Sequence, residues 1–117
     1  MAGEPQEDCL FCKIVEGHIP ATIVRETETT VAFRDINPQA PTHILVIPKA
    51  HYENAAALAA GAPELAADVL RETAEVAAGE GLDSYRTVFN TGSGAGQTVW
   101  HAHAHLLGGR GMQWPPG

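Results

Sequence analysis

The chain has 117 residues, 44% of them hydrophobic, and its seven lysines and arginines against fourteen acidic residues give a net charge of −7. This length fits a single domain with one core. The acidic balance argues against a protein that binds a nucleic-acid polymer, because phosphate contacts need lysines and arginines in numbers. The longest apolar run, residues 55–60, is far shorter than the ~20 residues that span a bilayer, so no membrane partner is expected.

The N-terminal residues 1–8 are polar and acidic, and they predict a flexible tail. They lack the basic start and apolar stretch of a signal peptide, so a cytoplasmic location is expected. Residues 9–117 are predicted to form one domain. That domain contains the two cysteines of the chain, Cys9 and Cys12. Their spacing is that of half a metal site, of a redox pair, or of two free thiols.

The remaining chain predicts an α+β fold with five mostly antiparallel strands, one short helix and one long helix. The hydrophobic periods and the Gly and Pro positions place the elements in this order: a short helix over 11–16, strands over 22–26, 30–34 and 43–47, a long helix over 55–78, and strands over 86–90 and 100–107. The first two strands are expected to pair as a hairpin. The glycine-rich segment 91–98 is predicted to be a loop.

Three histidines, His101, His103 and His105, alternate along the last predicted strand. Side chains on one face of a strand stand ~6.6 Å apart, so the three imidazoles are expected to form a row. Such a row can share a metal, or one neutral imidazole can act as a nucleophile. The loop directly upstream can turn several backbone N–H groups toward a phosphate, which favours attack on phosphorus.

The segment His101–Leu107 resembles the His-φ-His-φ-His-φ-φ motif of the histidine triad (HIT) family. Residues 33–43 and 45–49 resemble the middle section of that family, and residues 108–110 and 114–117 resemble the C-terminus of its Hint branch. The resemblance extends from residue 9 to residue 117. It implies a HIT-like five-stranded antiparallel sheet and a nucleotide-binding hydrolase similar to adenosine 5′-monophosphoramidases. The alternatives are a dinucleoside polyphosphate hydrolase, or a nucleotide-binding or zinc-stabilised interaction protein with little turnover.

The resemblance also implies roles for individual residues. His103 would attack the α-phosphorus of a purine nucleoside 5′-phosphoramidate and form a nucleotidyl-histidine that water resolves. The other residues implied in catalysis are His105, Thr98 and His43, with Thr98 standing where the family usually has Ser. The residues implied in nucleotide binding are Asp35 for the ribose, Asn90, Gly96 and Gln97 for the phosphate, and Phe11, Ile14, Ile19, Phe33 and Ile36 for the base.

Two further expectations follow from the same resemblance. Cys9, Cys12, His51 and His101 resemble a Cys₂His₂ zinc site, which would be structural and would take no part in the chemical step. A homodimer is implied, in which the tail around Trp114 reaches the active site of the partner. His18 matches no family position and is expected to lie at the surface.

Overall fold

The computed structural model describes residues 3–117, in which five strands form one antiparallel sheet flanked by three helices. The strands lie side by side in the order β1-β2-β3-β5-β4. The elements are α1 (Leu10–Val15), β1 (Ile23–Glu26), β2 (Thr30–Arg34), β3 (Thr42–Pro48), α2 (Ala55–Gly61), α3 (Pro63–Gly79), β4 (Tyr85–Val88), a 3₁₀ turn (Ser93–Ala95) and β5 (Ala104–Gly108). The predicted α+β fold and the five-stranded antiparallel sheet are confirmed.

The central strand β3 is buried on both faces and divides the core into two apolar clusters. Ile44 and Val46 point to one face, where α2 and α3 pack. Leu45 and Ile47 point to the other face, which they share with Phe33 and α1. Because α1 has only six residues, it covers only part of this second face. The uncovered part is where the polar residues of the site lie.

The long helix predicted over residues 55–78 is divided into α2 and α3 at Ala62. Ala62 has the non-helical angles φ −149° and ψ 69°. The residue before a proline is pushed out of the helical region by the proline ring, and Pro63 follows directly. Pro63 in turn fits the first turn of α3, because the N–H groups of a first turn have no acceptor within the helix and proline lacks this group. The break is therefore a local effect of one residue, and both helices still cover the same face.

The N-terminal end of α2 depends on Asn54, whose Oδ1 accepts a hydrogen bond from the backbone N–H of Ala57 at 2.9 Å. Replacing Asn54 with alanine is expected to lower the free energy of unfolding by about 1 kcal/mol, because an N–H group of the first turn loses its acceptor. Urea denaturation measures the change. Asn54→Asp keeps the acceptor and is the control, so equal losses in both variants would contradict this explanation.

The last strand begins at Ala104, although the alternating histidines predicted a strand over 100–107. The ladder between β3 and β5 reaches Val46 opposite Ala104 and goes no further. Pro48 has no N–H group to donate to a continued ladder. Its carbonyl accepts instead from the side chain of His101, at 2.8 Å. Residues 101–103 thus precede the sheet, so the predicted strand over 100–107 is too long at its start. The three histidines nevertheless share one side of the chain, because Phe11 contacts His101 and His103 and His103 contacts His105, whereas Ala102 and Ala104 pack in the cluster on the opposite face.

The N-terminal segment is connected to the domain by backbone contacts. The N–H of Gly3 donates to the carbonyl of His51 at 2.6 Å, and the N–H of Gln6 contacts Sγ of Cys12 at 3.4 Å. Residues 1 and 2 of the predicted tail lie outside the described residues. Within residues 3–117, no helix has both the length and the apolar character needed to cross a bilayer.

Candidate active site and metal cluster

A cleft of about 300 Å³ opens on the sheet face that α1 covers only in part. Nine of the predicted site residues line it: Phe11, Ile14, Ile19, Phe33, Asp35, Ile36, Thr98, His103 and His105. The lining is mainly apolar on the α1 side, and its polar side chains are those of the two histidines, Asp35, Thr98 and Arg34. Six lining residues are not among the predicted site residues: Leu10, Pro20, Ala21, Arg34, Leu45 and Val99. Of these, Leu45 could have been found, because it shares a strand face with the neighbouring residue Phe33.

His103 lies at the floor of this cleft with 8% of its surface exposed. Its Nδ1 is 2.7 Å from the carbonyl of His101. A carbonyl can only accept, so Nδ1 carries the proton and Nε2 keeps its lone pair. Burial lowers the pKa of His103 below its ordinary value, outweighing the contribution of the His101 carbonyl. His103 is therefore a neutral imidazole with a free nitrogen lone pair.

His105 has the opposite tautomer, and His43 imposes it. The backbone N–H of Gln39 donates to Nδ1 of His43 at 3.0 Å, so the proton of His43 is on Nε2. That Nε2 donates to Nδ1 of His105, also at 3.0 Å. His105 must then carry its own proton on Nε2. Burial, together with the neighbouring His103 and His43, lowers the pKa of His105 to about 4, so it is neutral at pH 7.

The two imidazoles of the cleft are thus complementary. The ring centroids of His103 and His105 are 4.8 Å apart. His103 presents a nitrogen lone pair, and His105 presents an N–H donor. Phe11 meets His103 edge-on, with a centroid distance of 5.1 Å, and excludes water from one side of the ring. This pair can attack an electrophilic centre and donate a hydrogen bond to an oxygen bound to it.

Asp35 lies at the rim of the cleft with 18% of its side chain exposed. Its Oδ1 accepts from the backbone N–H of Asn37 at 2.7 Å, and its Oδ2 is 3.4 Å from Nε2 of His43. Asp35, His43 and His105 are close enough to hold a metal ion. However, the only lone pair of neutral His43 is already taken by the N–H of Gln39, so His43 has no free ligand atom. His43 is thus hydrogen-bonded to Gln39 and His105, and Oδ2 of Asp35 is left for a ligand.

The glycine-rich loop does not show the predicted arrangement of backbone N–H groups turned toward a phosphate. The backbone N–H groups of Ala95, Gly96 and Gln97 donate within the loop, to the carbonyls of Gly92 and Ser93 at 3.0–3.1 Å. They are therefore not turned together toward a phosphate. Gly96 has φ +92°, a conformation that glycine adopts at little cost.

The side chain of Gln97 is also fully engaged. Its Oε1 accepts from the N–H of Gly92 at 2.9 Å, and its Nε2 donates to the carbonyls of Glu53 and Val99. Gln97 therefore holds the loop against the start of α2. Five residues implied by the resemblance do not line the cleft, namely His43, which lies behind His105, and Asn90, Gly96, Gln97 and Trp114. Trp114 is 83% exposed, and its contact with a partner stays a prediction.

Cys9, Cys12, His51 and His101 meet on the other side of Phe11, with their ligand atoms all within 4.8 Å of one another. Nδ1 of His101 is 3.4 Å from Sγ of Cys9 and 3.6 Å from Sγ of Cys12, and Nδ1 of His51 is 3.3 Å from Sγ of Cys12. A tetrahedral zinc ion separates its sulfur and nitrogen ligands by about 3.6 Å. The spacing of the four ligand atoms therefore fits zinc.

The protonation of the histidine and cysteine side chains in the cluster also fits a bound metal. His101 donates from Nε2 to the carbonyl of Pro48 at 2.8 Å, which leaves the lone pair of Nδ1 facing the sulfurs. Burial lowers the pKa of His101 to about 4, so this lone pair stays free of a proton. Burial raises the pKa of Cys12 to about 11. A thiolate at this position therefore needs a positive charge, which a divalent metal supplies.

Comparison with known proteins identifies the family. The family model described as HIT domain matches residues 16–112. The chain belongs to the HIT family. An uncharacterized HIT-like protein of Synechococcus elongatus is 52% identical to this HIT protein over 112 residues, covering 95% of this chain and 98% of the relative.

Two other relatives are similar over nearly the same length. A 14 kDa zinc-binding protein of Zea mays is 50% identical over 112 residues, covering 92% of this chain and 87% of the relative. The crystal structure of a HIT family hydrolase from Legionella pneumophila superposes with a TM-score of 0.90 at 54% identity, covering 94% of this chain and 100% of that chain. The resemblance to the HIT family is therefore confirmed.

The low pKa of His105 predicts how the stability of this HIT protein depends on pH. The folded pKa of about 4 is below the ordinary value of 6.5, so the unfolded chain binds more protons between these two pH values. The free energy of unfolding should therefore fall as the pH falls from 6.5 to 4, with His105 contributing about 2 kcal/mol of the loss. We expect His105→Gln to be less acid-sensitive than the wild type in urea denaturation across this range.

The matched control is His18→Gln, because His18 is exposed and is not among the residues that line the cleft. This variant should keep the full acid sensitivity of the wild type. Equal pH slopes for the wild type and His105→Gln would contradict the assignment of His105 as a buried neutral imidazole.

Proposed function

We propose that this protein is a nucleotide hydrolase of the Hint branch that cleaves purine nucleoside 5′-phosphoramidates through a nucleotidyl-histidine on His103. One observation carries the proposal, namely the complementary tautomers of His103 and His105 at the floor of an apolar cleft. A lone pair next to an N–H donor is the arrangement that attack on a phosphoryl centre requires. The solved relative from Legionella pneumophila, described as a HIT family hydrolase, supports the reaction class.

The lining residues of the cleft favour one orientation of a bound nucleoside. The base would occupy the apolar end between α1 and β2, against the rings of Phe11 and Phe33, which are 5.5 Å apart in an edge-on contact. The ribose would lie at Asp35, where Oδ2 can accept from its hydroxyl groups. The α-phosphate would then reach the two histidines. The family resemblance supports a purine as the base.

The chemical steps use the free nitrogen of His103. Nε2 attacks the α-phosphorus, the phosphorus–nitrogen bond of the substrate breaks, and the departing amine takes a proton from water. The carbonyl of His101 accepts from Nδ1 and stabilises the positive charge that develops on the ring. The hydroxide left by that water then attacks the phosphorus, the bond to Nε2 breaks and returns its electron pair to the neutral ring, and the products are a nucleoside monophosphate and an amine.

His105 acts in this proposal as a hydrogen-bond donor rather than as an acid. Because it is neutral and its Nδ1 is occupied by His43, loss of the Nε2 proton would leave an unfavourable imidazolate. We therefore assign its N–H to a non-bridging phosphate oxygen. Thr98 lines the cleft and is exposed, so its hydroxyl is available to the leaving group.

The Cys₂His₂ cluster would hold a structural zinc ion. The ion would supply folding free energy by joining α1 to the segment before β5. None of the proposed chemical steps uses it. The relative from Zea mays is described as a zinc-binding protein, which supports this part of the proposal.

A cytoplasmic homodimer completes the proposal. β4 is an edge strand, and Tyr85 on it is 43% exposed. Edge strands with free backbone groups readily pair with another chain. Sedimentation equilibrium measures the mass directly, and a mass equal to one chain at micromolar concentration would contradict the dimer.

The decisive experiment is a substrate panel of adenosine and guanosine 5′-phosphoramidates, a dinucleoside polyphosphate and a cytidine 5′-phosphoramidate. We expect release of the monophosphate from the purine phosphoramidates at the highest kcat/KM. Faster cleavage of the dinucleoside polyphosphate would favour the alternative hydrolase. A covalent nucleotidyl-enzyme that forms without steady-state product would indicate a binding protein with little turnover.

The role of Asp35 is tested by pairing a variant with a modified substrate. Asp35→Asn keeps the acceptor for the N–H of Asn37 but replaces the free carboxylate oxygen with a donor. We expect KM for the ribose substrate to rise about tenfold, since a hydrogen bond to a charged group is worth about 1.5–3 kcal/mol. A 2′,3′-dideoxy substrate lacks both hydroxyls and should respond equally in both proteins. A similar rise in KM for both substrates would contradict ribose binding by Asp35.

A further inference from the structure

His101 links the metal cluster to His103 through a single residue. It is fully buried, and both of its ring nitrogens are engaged, Nε2 with the carbonyl of Pro48 and Nδ1 with the sulfurs of Cys9 and Cys12. The backbone carbonyl of the same residue accepts from Nδ1 of His103 at 2.7 Å. Holding the ring of His101 therefore also restricts the one acceptor that sets the tautomer of His103.

A second link runs through α1. Phe11 lies between the two cysteines in sequence, and its ring contacts His103, with a centroid distance of 5.1 Å, and His101, with a centroid distance of 5.9 Å. Cys9 is the N-cap of α1, and its Sγ accepts from the N–H of Cys12. The cluster thus holds both the residue behind His103 and the ring beside it.

Neither link is held firmly by secondary structure. Residues 101–103 precede β5 and lie outside the sheet ladder, where their backbone is held by a hydrogen bond from the N–H of Ala102 to the carbonyl of Tyr52, the neighbour of the cluster residue His51, at 2.7 Å. The helix α1 has six residues, and isolated helices shorter than ~12 residues are marginal in water. With protonated cysteines, the contacts within the cluster are weak thiol hydrogen bonds. A bound metal would replace them with four bonds of fixed direction.

We propose that His101 is a positioning residue, and that metal binding at its Nδ1 orients His103 by fixing the carbonyl that receives the His103 proton. This inference rests on the proposed function for its kinetic consequence. Its structural consequence, the tautomer of His103, is independent of that function. The tautomer of His105 is set by His43 and Gln39, outside the cluster, and should not depend on the metal.

The test uses His51→Gln, which removes the cluster ligand that contacts Cys12 and His101 and leaves His101 itself in place. The wild type and the variant are labelled with ¹⁵N-histidine, loaded with zinc, and compared by long-range proton–nitrogen correlation spectra. We expect the wild type to show His103 only as the Nδ1–H tautomer and the variant to show a mixture. His105 should remain the Nε2–H tautomer in both. His18→Gln is the control and should match the wild type in both tautomers.

Kinetics provide the second measurement. For the variant we expect kcat on adenosine 5′-phosphoramidate to fall about 10- to 100-fold, the usual cost of losing a residue that orients a functional group through another, with a smaller change in KM. If the wild type does not turn over this substrate, the proposed function fails and the spectra still decide the inference. If the variant has lost its zinc and His103 still shows only the Nδ1–H tautomer, the inference is overturned. A mixture of tautomers at both His103 and His105 would overturn it as well.

If His51→Gln does not fold, the wild type loaded with cadmium replaces it. Cadmium is larger than zinc and forms longer bonds to the same ligands, so the folded protein is kept while His101 is displaced slightly. The Nδ1–H resonance of His103 should then shift between the two metal forms, and the resonances of His105 should not. Identical His103 resonances in the two forms would overturn the inference.

Discussion

A His103→Ala variant is expected to lose kcat on adenosine 5′-phosphoramidate by at least about 10³-fold, the scale on which loss of an essential nucleophile acts. The expectation follows from geometry, because Nε2 of His103 is the only imidazole lone pair that lines the cleft within residues 3–117. The lone pair of His105 accepts from His43, and that of His43 accepts from Gln39. No neighbouring histidine can therefore replace it. Steady-state release of AMP gives the measurement.

Two comparisons separate loss of the nucleophile from loss of the fold. His103→Ala removes a buried ring that contacts Phe11, so its circular dichroism and nucleotide binding must be measured together with its activity. His105→Ala keeps the nucleophile and should still form the covalent nucleotidyl-enzyme, more slowly. Formation of that adduct by His103→Ala, or equal activity of this variant and the wild type, would contradict the assignment.

The sheet could be predicted from the sequence because its signals are local. The short apolar run Val31–Phe33 marks β2, and the longer apolar run up to Pro48 marks β3. The start of β5 could not be predicted in this way. It depends on where the ladder of β3 ends, and Pro48 is more than fifty residues away from His101. The alternating histidines therefore read as strand in a segment that the sheet does not include.

The site was predictable in its residue types and much less so in its hydrogen bonds. The apolar lining and the two histidines of the cleft could be named from the motif and its resemblance. The opposite tautomers could not, because they come from contacts between residues 62 positions apart, His43 and His105, and from the backbone of Gln39. The hydrogen bonds that Gln97 makes within its loop could not be predicted either. A glycine-rich loop has the same sequence whether its amide groups face a ligand or one another.

A Cys12→Ser variant tests the cluster and is expected to cause the largest loss of stability. Cys12 is 1% exposed, and its Sγ lies 3.3 Å from His51 and 3.6 Å from His101. Serine is a poor zinc ligand, so the zinc content should fall from about one ion per chain to nearly none. A ligand that binds only the folded state at 1,000 times its Kd contributes about 4 kcal/mol, and we expect a loss of this size in the free energy of unfolding.

The loss should depend on the metal and not on the removal of a sulfur atom. In the presence of a strong chelator, the wild type and Cys12→Ser are therefore expected to unfold at nearly the same urea concentration, because both then lack the ion. His18→Ala serves as the matched control, since His18 is exposed and lies outside the cluster. It should keep its zinc and its stability. Elemental analysis and urea denaturation measure the two effects separately. A variant that loses zinc without losing stability would show that the cluster binds metal without holding α1 to the segment before β5.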